Sequence, residues 1–261
     1  MPELPEVELY ARYFAAHALR QKIARVDVRD ERILGAIRKE ALDAKLRGRS
    51  FRAVHRHGKH LFAGTGSGWL HLHFGMSGDL AYYRAANEEP RFGRVVFDFT
   101  NGAHLAFEDM QLFGVVDLTP SPEDYVREHG LGPDPLDPGF TLRSFRQILK
   151  SRRGAIKSLL MSQNVIAGIG NLYADETLFQ TGIHPRRPVH ELSADEVKAM
   201  YSAMRRVLRD VIERKARGAS YPPKYLIPHR EEGERCPRCG GTIQRTVVFG
   251  RTTYYCTKHQ R

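Results

Sequence analysis

The sequence predicts an α+β protein with a strand-rich first part, a helical second part and a short hairpin at its end. In the first part, residues 69–80 are rich in apolar residues. Two apolar runs within residues 94–107 flank Asn101-Gly102, a pair typical of a hairpin turn because both residues tolerate positive φ. In the second part, apolar residues recur at helical spacing. All three cysteines lie after residue 235.

Local signals place the first helix and divide the chain into domains. A helix is predicted over about residues 5–17, because Pro5 suits a first helical turn and Glu6 and Glu8 suit its positive end. Residues 119–140 contain two clusters of Pro and Gly and are predicted to connect two domains. The predicted segments are 1–122 for the strand-rich domain, 123–140 for the linker, 141–228 for the helical domain and 229–261 for the hairpin.

Four helices are predicted after the linker. Thr141 can cap the first, and the next two cover about residues 155–162 and 170–179. The fourth begins at Ser193, which forms a capping box with Glu196, and it ends at Gly218. Its apolar stripe predicts core positions at Val197, Met200, Met204, Val207, Leu208 and Val211.

The chain is strongly basic, with 41 Lys and Arg against 30 Asp and Glu among 261 residues and a net charge of +11. This excess favours a polyanionic partner, most often nucleic acid, although charge alone leaves a membrane surface open. No apolar run approaches the roughly 18 residues that a membrane-spanning helix needs, and the acidic, Pro-rich start is unlike a signal peptide. We therefore expect a cytoplasmic protein.

The cysteines have the spacing of a structural zinc site. Cys236 and Cys239 form one short pair, and after sixteen residues Cys256 and His259 form the second. Residues 242–249 and 251–255 between the pairs are predicted to form two antiparallel strands. Three thiolates and one imidazole would bind one Zn²⁺ in a closed tetrahedron, with no open position for catalysis. His229, which lies outside this spacing, is the alternative to His259 as the fourth ligand.

The chain start offers a nucleophile. Removal of Met1, favoured by the small Pro2, would leave a secondary amine less basic than lysine and partly neutral near pH 7. Such an amine attacking a sugar C1′ gives a cationic iminium that makes the C2′ proton removable. Glu3 and Glu6 lie close by in sequence as acid–base partners. Taken alone, a proline at position 2 is common in intracellular proteins.

The start, Met-Pro-Glu-Leu-Pro-Glu-Val-Glu, resembles the formamidopyrimidine-DNA glycosylase and endonuclease VIII family. Other segments match motifs of that family in the family's order: 57–61 its lysine-bearing strand, 73–78 its His-Leu-Gly-Met-Ser-Gly segment, 131–136 its linker signature, 168–176 its helix–two-turn–helix motif, 182–185 the following turn, and 236–259 its zinc hairpin. The resemblance spans nearly the full length. It implies an N-terminal two-sheet β-sandwich flanked by a helix, then a helix–two-turn–helix domain ending in a zinc finger.

The resemblance also implies an activity and roles for individual residues. The activity is that of a bifunctional glycosylase of base excision repair, which removes oxidised or ring-opened bases from double-stranded DNA and then nicks the strand by β,δ-elimination. A monomer is expected, associated with the nucleoid. The implied roles are Pro2 as Schiff-base nucleophile, Glu3 as general acid–base, Glu6 as support and helix cap, Lys59 and His73 as phosphate contacts with Lys59 aiding δ-elimination, Met76 and Phe113 as wedges, and Asn171, Tyr173 and Arg251 as DNA contacts.

Two residues and one segment depart from the pattern of the family's formamidopyrimidine branch. Gln111 stands where an arginine commonly reads the base opposite the lesion, which puts a preference for opposite cytosine in doubt. The segment between Gly218 and Cys236 is shorter than the usual lesion-covering loop, and His259 replaces a cysteine. These departures favour an endonuclease VIII-like or divergent member that acts on oxidised pyrimidines or formamidopyrimidines.

Two other functions stay open at this point. A catalytically silent protein could bind damaged or abasic DNA without cutting it, although Pro2, Glu3 and Lys59 are all present. A zinc-ribbon protein that binds RNA or regulates would explain the finger and the charge but would leave the N-terminal motif unexplained.

Overall fold

The computed structural model describes residues 2–261 and divides the chain into two compact units, one ending at Gly130 and the other running from Leu131 to Arg261. The division falls inside the predicted linker, residues 123–140. The finer division into four segments stays a prediction. Among the described residues, no helix has both the length and the apolar character required to span a bilayer.

The first unit is a pair of antiparallel sheets with three helices. Its helices are α1 (Leu4–Ala18), α2 (Lys39–Leu46) and α3 (Pro122–Glu128). Its strands are β1 (Ile23–Val28), β2 (Ala53–His57), β3 (His60–Gly64), β4 (Trp69–His73), β5 (Asp79–Tyr83), β6 (Gly93–Phe99), β7 (His104–Glu108) and β8 (Val115–Thr119). The strand orders are β1-β6-β7-β5 in one sheet and β2-β3-β4-β8 in the other. Asn101-Gly102 forms the predicted turn between β6 and β7.

One apolar core fills the space between the two sheets and the first helix. Phe97 of β6, Leu72 of β4 and Phe14 of α1 are fully buried in it. Full burial of a side chain of this size stabilises the fold by about 1.5–3 kcal/mol. The arrangement confirms the expected two-sheet sandwich flanked by an N-terminal helix.

Helix α3 lies in the segment that was predicted to be only a linker. Ser121 and Pro122, interpreted as breakers, in fact start the helix: the Ser121 hydroxyl accepts a hydrogen bond from the Asp124 amide, and proline suits the first turn. Tyr125 of α3 packs on His71 and Phe62, on the outer face of the second sheet. Strands β3 and β4 are therefore covered on both faces, which explains their nearly continuous burial.

The second unit is helical and ends in a β-hairpin. Its helices are α4 (Leu142–Lys150), α5 (Ile156–Met161), α6 (Asn171–Thr181) and α7 (Ala194–Ala216), and its strands are β9 (Ile243–Val248) and β10 (Arg251–Cys256). Ser193 caps α7 in the predicted capping box, since its hydroxyl accepts from the Glu196 amide. All six residues of the predicted apolar stripe on α7 are buried. The four helices and the two strands confirm the predicted order.

Candidate active site and nucleic-acid interface

The first turn of α1 fixes the two acidic residues that follow Pro2. Glu3 precedes the helix and is 4 % exposed. The backbone amide of Glu3 donates to Oε2 of Glu6 at 3.0 Å, so Glu6 caps the helix as expected. Glu3, the N-cap residue of α1, therefore has its carboxyl group buried at the start of the helix, directly after Pro2 in the sequence.

Lys59 lies in a turn, and its placement on a strand was wrong. Gly58 and Lys59 connect β2 to β3, and Gly58 has φ +56°, a conformation that glycine adopts without strain. The Lys59 side chain is 9 % exposed, so it is not the solvated lysine that the sequence alone would suggest. The tight turn presents the lysine at the end of the hairpin, where a strand residue would point into a sheet face.

Arg56 ties the lysine turn to α1, a link that the sequence analysis missed. Its Nε lies 2.9 Å from Oε2 of Glu8 on α1, and the same guanidinium donates to the Gly58 carbonyl at 3.2 Å. The Arg56 side chain is 9 % exposed, so solvent screens this pair weakly. The N-terminal helix and the Lys59 turn are therefore held in one arrangement. Glu8 and Arg56 are 48 residues apart, and no local sequence pattern signals their contact.

His73, at the end of β4, has a side chain that can donate a hydrogen bond while it is neutral. It pairs in register with His60, the residue after Lys59. Burial and the nearby Lys59 charge lower the pKa of His73. Its Nδ1 accepts a hydrogen bond from the Gly75 amide at 3.3 Å, which places the ring proton on Nε2. This side chain can donate one hydrogen bond to a phosphate oxygen without carrying charge.

Met76 and Phe113, the predicted wedge residues, lie on two adjoining loops and are 49 % and 60 % exposed. The loops touch at Gly75, where an added Cβ would lie 2.3 Å from the Phe113 carbonyl carbon. Asp109 organises the second loop: it accepts from the Ser77 hydroxyl and from the amides of Gly114 and Gln111. The Gln111 side chain is exposed in this same loop. The fold therefore brings together the wedge residues and the predicted reader of the opposite base.

In the second unit, Asn171 and Arg251 are joined through the hairpin. Asn171 is the first residue of α6, and its Nδ2 donates to the Thr252 carbonyl at 2.9 Å. Its Oδ1 is buried and has no hydrogen-bond partner. Arg251 begins β10 and is exposed, as a phosphate contact requires.

Asn171, Tyr173 and Arg251 were predicted to contact DNA, but the Tyr173 side chain is not at the surface. Its side chain is fully buried, because the aromatic ring fills the interior of the second unit. A contact of this residue with a phosphate is left to its backbone amide in the first turn of α6, where the helix dipole favours an anion.

A buried ionic cluster lies behind this surface and was missed from the sequence. Nζ of Lys157 on α5 lies 2.7 Å from Oδ1 of Asp175 on α6, and both side chains are 0 % exposed. Arg230 donates to the other oxygen of Asp175 at 2.8 Å, and Lys157 donates to the Thr253 hydroxyl at 2.6 Å. The cluster connects two helices, the segment before the hairpin and strand β10. Only the sequence motif around Asp175 hinted at a special position there.

The predicted zinc ligands converge at the base of the hairpin. The ligand atoms of Cys236, Cys239, Cys256 and His259 all lie within 4.8 Å of one another. Nδ1 of His259 lies 3.6 Å from the Sγ atoms of Cys236 and Cys239, so it is the nitrogen that faces the metal position. Nε2 donates to the Phe179 carbonyl at 3.1 Å, the support that ligating histidines usually have. Three sulfurs and one nitrogen fit one structural Zn²⁺.

The competing ligand is excluded by its own contacts. Nδ1 of His229 is paired with Glu234 at 2.6 Å, and Nε2 contacts the Pro223 carbonyl at 2.7 Å. Both ring nitrogens are therefore engaged away from the cysteines, and His259 is the fourth ligand.

The chain matches three family descriptions in consecutive segments. Residues 1–116 match the formamidopyrimidine-DNA glycosylase N-terminal domain, 131–222 the formamidopyrimidine-DNA glycosylase H2TH domain, and 233–258 the zinc finger found in FPG and IleRS. These matches correspond to the sandwich, the helix–two-turn–helix region and the zinc hairpin.

Curated relatives and solved structures agree along the whole chain. Proteins named formamidopyrimidine-DNA glycosylase from Roseiflexus sp. and Desulforamulus reducens are 36 % and 34 % identical, over 100 % of this chain and 100 % and 99 % of theirs. The Lactococcus lactis Fpg complex with abasic-site DNA has a TM-score of 0.88 at 27 % identity, covering 99 % of both chains. The same protein with FAPY-dG DNA has a TM-score of 0.89 at 26 % identity, covering 99 % of this chain and 100 % of that one. This chain therefore belongs to the formamidopyrimidine-DNA glycosylase family.

Proposed function

We propose that this protein is a bifunctional DNA glycosylase and abasic-site lyase of base excision repair. Its substrate is double-stranded DNA that contains a damaged base or an abasic site, and it works as a monomer on nucleoid DNA. The observation that carries the proposal is the position of Glu3: it directly follows Pro2, and its side chain is 4 % exposed at the start of α1. Membership of the family, whose named relatives are glycosylases, supports it.

The first chemical step uses the N-terminal amine. After removal of Met1, the Pro2 nitrogen forms a bond to C1′ of the damaged nucleotide, and the glycosidic bond to the base breaks. The departing base and the sugar O4′ each take up one proton: the Glu3 carboxyl group supplies one, and the amine N–H, which is lost as the iminium forms, supplies the other. The product is an iminium ion between Pro2 and C1′, with the sugar O4′ protonated as a hydroxyl group.

Strand cleavage follows from the same intermediate. The iminium withdraws electrons from C2′, a base removes the C2′ proton, and the C3′–O bond breaks with release of the 3′ phosphate. A second elimination breaks the C5′–O bond. Lys59 holds the neighbouring phosphate and assists this second step. Arg56 holds the Lys59 turn against α1, so that Pro2 and Lys59 can act on one nucleotide.

The remaining site residues hold the DNA. The Nε2–H group of His73 donates a hydrogen bond to a phosphate oxygen. Met76 and Phe113 fill the gap left by the flipped nucleotide. Arg251 and the start of α6 bind the backbone of the strand. One Zn²⁺, bound by the Cys₃His set, stabilises the hairpin that carries Arg251 and takes no part in the chemistry.

The proposed lesions are formamidopyrimidines and oxidised pyrimidines. Gln111 presents one donor group and one acceptor group to the opposite base. An arginine would present only donors, in a rigid fork, and would therefore select a base edge that offers acceptors. Excision rates on duplexes that carry a formamidopyrimidine, dihydrouracil or 8-oxoguanine, each opposite all four bases, test this preference. Strong 8-oxoguanine excision restricted to opposite cytosine would contradict it, and Gln111→Arg is the matched variant that should introduce such a restriction.

Borohydride trapping tests the proposed chemistry. The native protein and a protein whose Pro2 amine is blocked by an N-terminal tag are each incubated with an abasic-site duplex and borohydride. A covalent adduct with the native protein alone supports the imine on Pro2. No adduct from either, despite tight binding, would make the chain a silent damage-binding protein. An adduct from both would move the nucleophile to a lysine, with Lys59 tested first by Lys59→Met.

A further inference from the structure

The tip of the zinc-finger hairpin is a two-residue turn with a strained residue. Strand β9 ends at Val248 and β10 begins at Arg251, which pair in register across Phe249 and Gly250. Phe249 has φ +51° and Gly250 has φ +69°. Turns with both central residues at positive φ favour Asn-Gly, since a bulky side chain meets the backbone in this conformation. A phenylalanine at the first position therefore makes the turn less stable than asparagine would.

The same phenylalanine is mostly exposed, so intramolecular packing offsets little of that cost. Phe249 is 79 % exposed, and Val247 on β9 is 54 % exposed, while Val248 between them is buried. The other large apolar side chains that are well exposed among residues 2–261 are Met76, Met110 and Phe113. Those three lie on the two loops of the wedge. The hairpin tip is thus a second place where apolar side chains meet solvent.

The surroundings of the tip are cationic. Residues 242–255 contain Arg245 and Arg251 and no acidic residue. Arg186 reaches the hairpin from outside and donates to the Thr246 hydroxyl at 2.8 Å and to the Val247 carbonyl at 3.0 Å. An apolar ring framed by cations fits a polyanion that has an apolar surface between its charges. Duplex DNA has this character in the minor groove, whose walls are deoxyribose rings between two rows of phosphates.

We propose that Phe249 is a DNA-contacting residue that packs against the deoxyribose walls of the minor groove, next to the phosphate bound by Arg251. The inference rests on the proposed function, because it needs DNA as the partner. The contact reads no base and is apolar, so its contribution does not depend on counterion release. The hairpin tip would then make two contacts with DNA: Arg251 would bind a phosphate of one DNA strand, and the Phe249 ring would lie in the minor groove between the two DNA strands.

The experiment measures DNA affinity and thermal stability together. Phe249→Asn, Phe249→Trp, Arg251→Ala and the parent protein are titrated, with zinc bound, against a fluorescent duplex that carries a stable abasic analogue, at several salt concentrations. Phe249→Asn relaxes the turn, so its melting temperature should equal or exceed that of the parent while its Kd rises about five- to tenfold with an unchanged salt slope. Phe249→Trp should bind as the parent does. Arg251→Ala should weaken binding and reduce the salt slope by about one.

Each outcome decides the inference. Parental affinity of Phe249→Asn would overturn it, and a loss by Arg251→Ala in the same experiment would leave the proposed function standing. Failure of the parent itself to bind the duplex would overturn the proposed function. If Phe249→Asn lowers both affinity and melting temperature, Phe249→Trp decides: parental binding supports the contact, and a loss equal to that of asparagine overturns it.

Discussion

Nδ2 of Asn171 donates a hydrogen bond to the backbone carbonyl of Thr252, with 2.9 Å between the two atoms. Asn171 begins α6, and Thr252 directly follows Arg251 on β10. The Thr253 hydroxyl in turn donates to the Arg251 carbonyl at 3.0 Å. The start of α6 is therefore tied by side-chain bonds to the strand that presents Arg251. We therefore predict that Asn171 acts in DNA binding by positioning Arg251.

This relationship predicts that Asn171 and Arg251 act together in DNA binding. Asn171→Ala removes one hydrogen bond, worth about 1 kcal/mol, and should weaken binding to an abasic-analogue duplex about fivefold. Arg251→Ala should weaken it more, and the double variant should bind no more weakly than Arg251→Ala alone. Asn101→Ala, at a surface turn of the first unit, is the control and should bind as the parent does. Strictly additive losses would show that Asn171 contacts DNA independently.

The buried ionic cluster predicts an order of destabilisation. Asp175→Asn leaves the fully buried Lys157 and the partly exposed Arg230 without this countercharge and should lower the free energy of unfolding by about 3–5 kcal/mol. Lys157→Met should cost less, because Arg230 still pairs with Asp175. Lys39→Met breaks an exposed pair with Glu31 and should cost less than about 1 kcal/mol. Urea unfolding monitored by circular dichroism measures all three. Equal losses for Lys157→Met and Asp175→Asn would contradict the assigned central role of Asp175.

Glu176 predicts a pH dependence of stability. Burial raises the pKa of this carboxyl group from 4.5 to about 7, although Gln180 and the Ile227 amide donate to it. Between these two values the folded state keeps a proton that the unfolded state has lost. Stability is therefore full below about pH 4.5 and falls as the pH rises through 7, by at most about 3 kcal/mol.

Substitution of Glu176 tests this dependence directly. Glu176→Gln keeps the shape and one of the two oxygens that accept hydrogen bonds but cannot ionise. It should therefore flatten the fall in stability between pH 4.5 and 7 and raise the melting temperature at pH 8. Glu40→Gln, on the exposed face of α2, should change neither. Parallel pH profiles of the parent and the Glu176→Gln protein would show that folding does not raise the pKa of Glu176.

The zinc site predicts different effects for two substitutions of His259. His259→Cys restores four thiolates and should bind one Zn²⁺ per chain, with a small loss of stability from the missing bond to the Phe179 carbonyl. His259→Ala should lose most of the metal, lower the melting temperature and weaken DNA binding through Arg251. Atomic absorption and thermal melting measure these effects. Full zinc content and parental melting of His259→Ala would place the fourth ligand elsewhere.

Local signals in the sequence were enough wherever a structure depends on neighbours along the chain. The capping box of Ser193 and Glu196 placed α7, Asn101-Gly102 placed a hairpin turn, and the cysteine spacing placed the zinc ligands. Ser121-Pro122 carried such a signal too, but its interpretation as a breaker was wrong because the same pair also starts helices.

Long-range contacts could not be predicted in this way. The burial of Tyr173 and the role of Lys157 depend on elements far away in the sequence, such as β10 for Lys157. The Lys59 turn is held by Arg56 and Glu8, and a strand pattern around Lys59 gave no sign of it. The roles of the individual site residues in catalysis and DNA binding stay predictions, which the experiments above are designed to test.

The contact between the two loops that carry Met76 and Phe113 would affect how quickly the protein searches DNA. Asp109 binds both loops, and Gly75 lets one loop lie directly on the backbone of the other. The conformational entropy of these loops is therefore lost when the chain folds, not when it meets each base pair. If Met76 and Phe113 insert into DNA as proposed, the deformation of the duplex would be the main cost of each encounter. We then expect the protein to open a weakly stacked site sooner than an intact one and to spend little time on undamaged sequence.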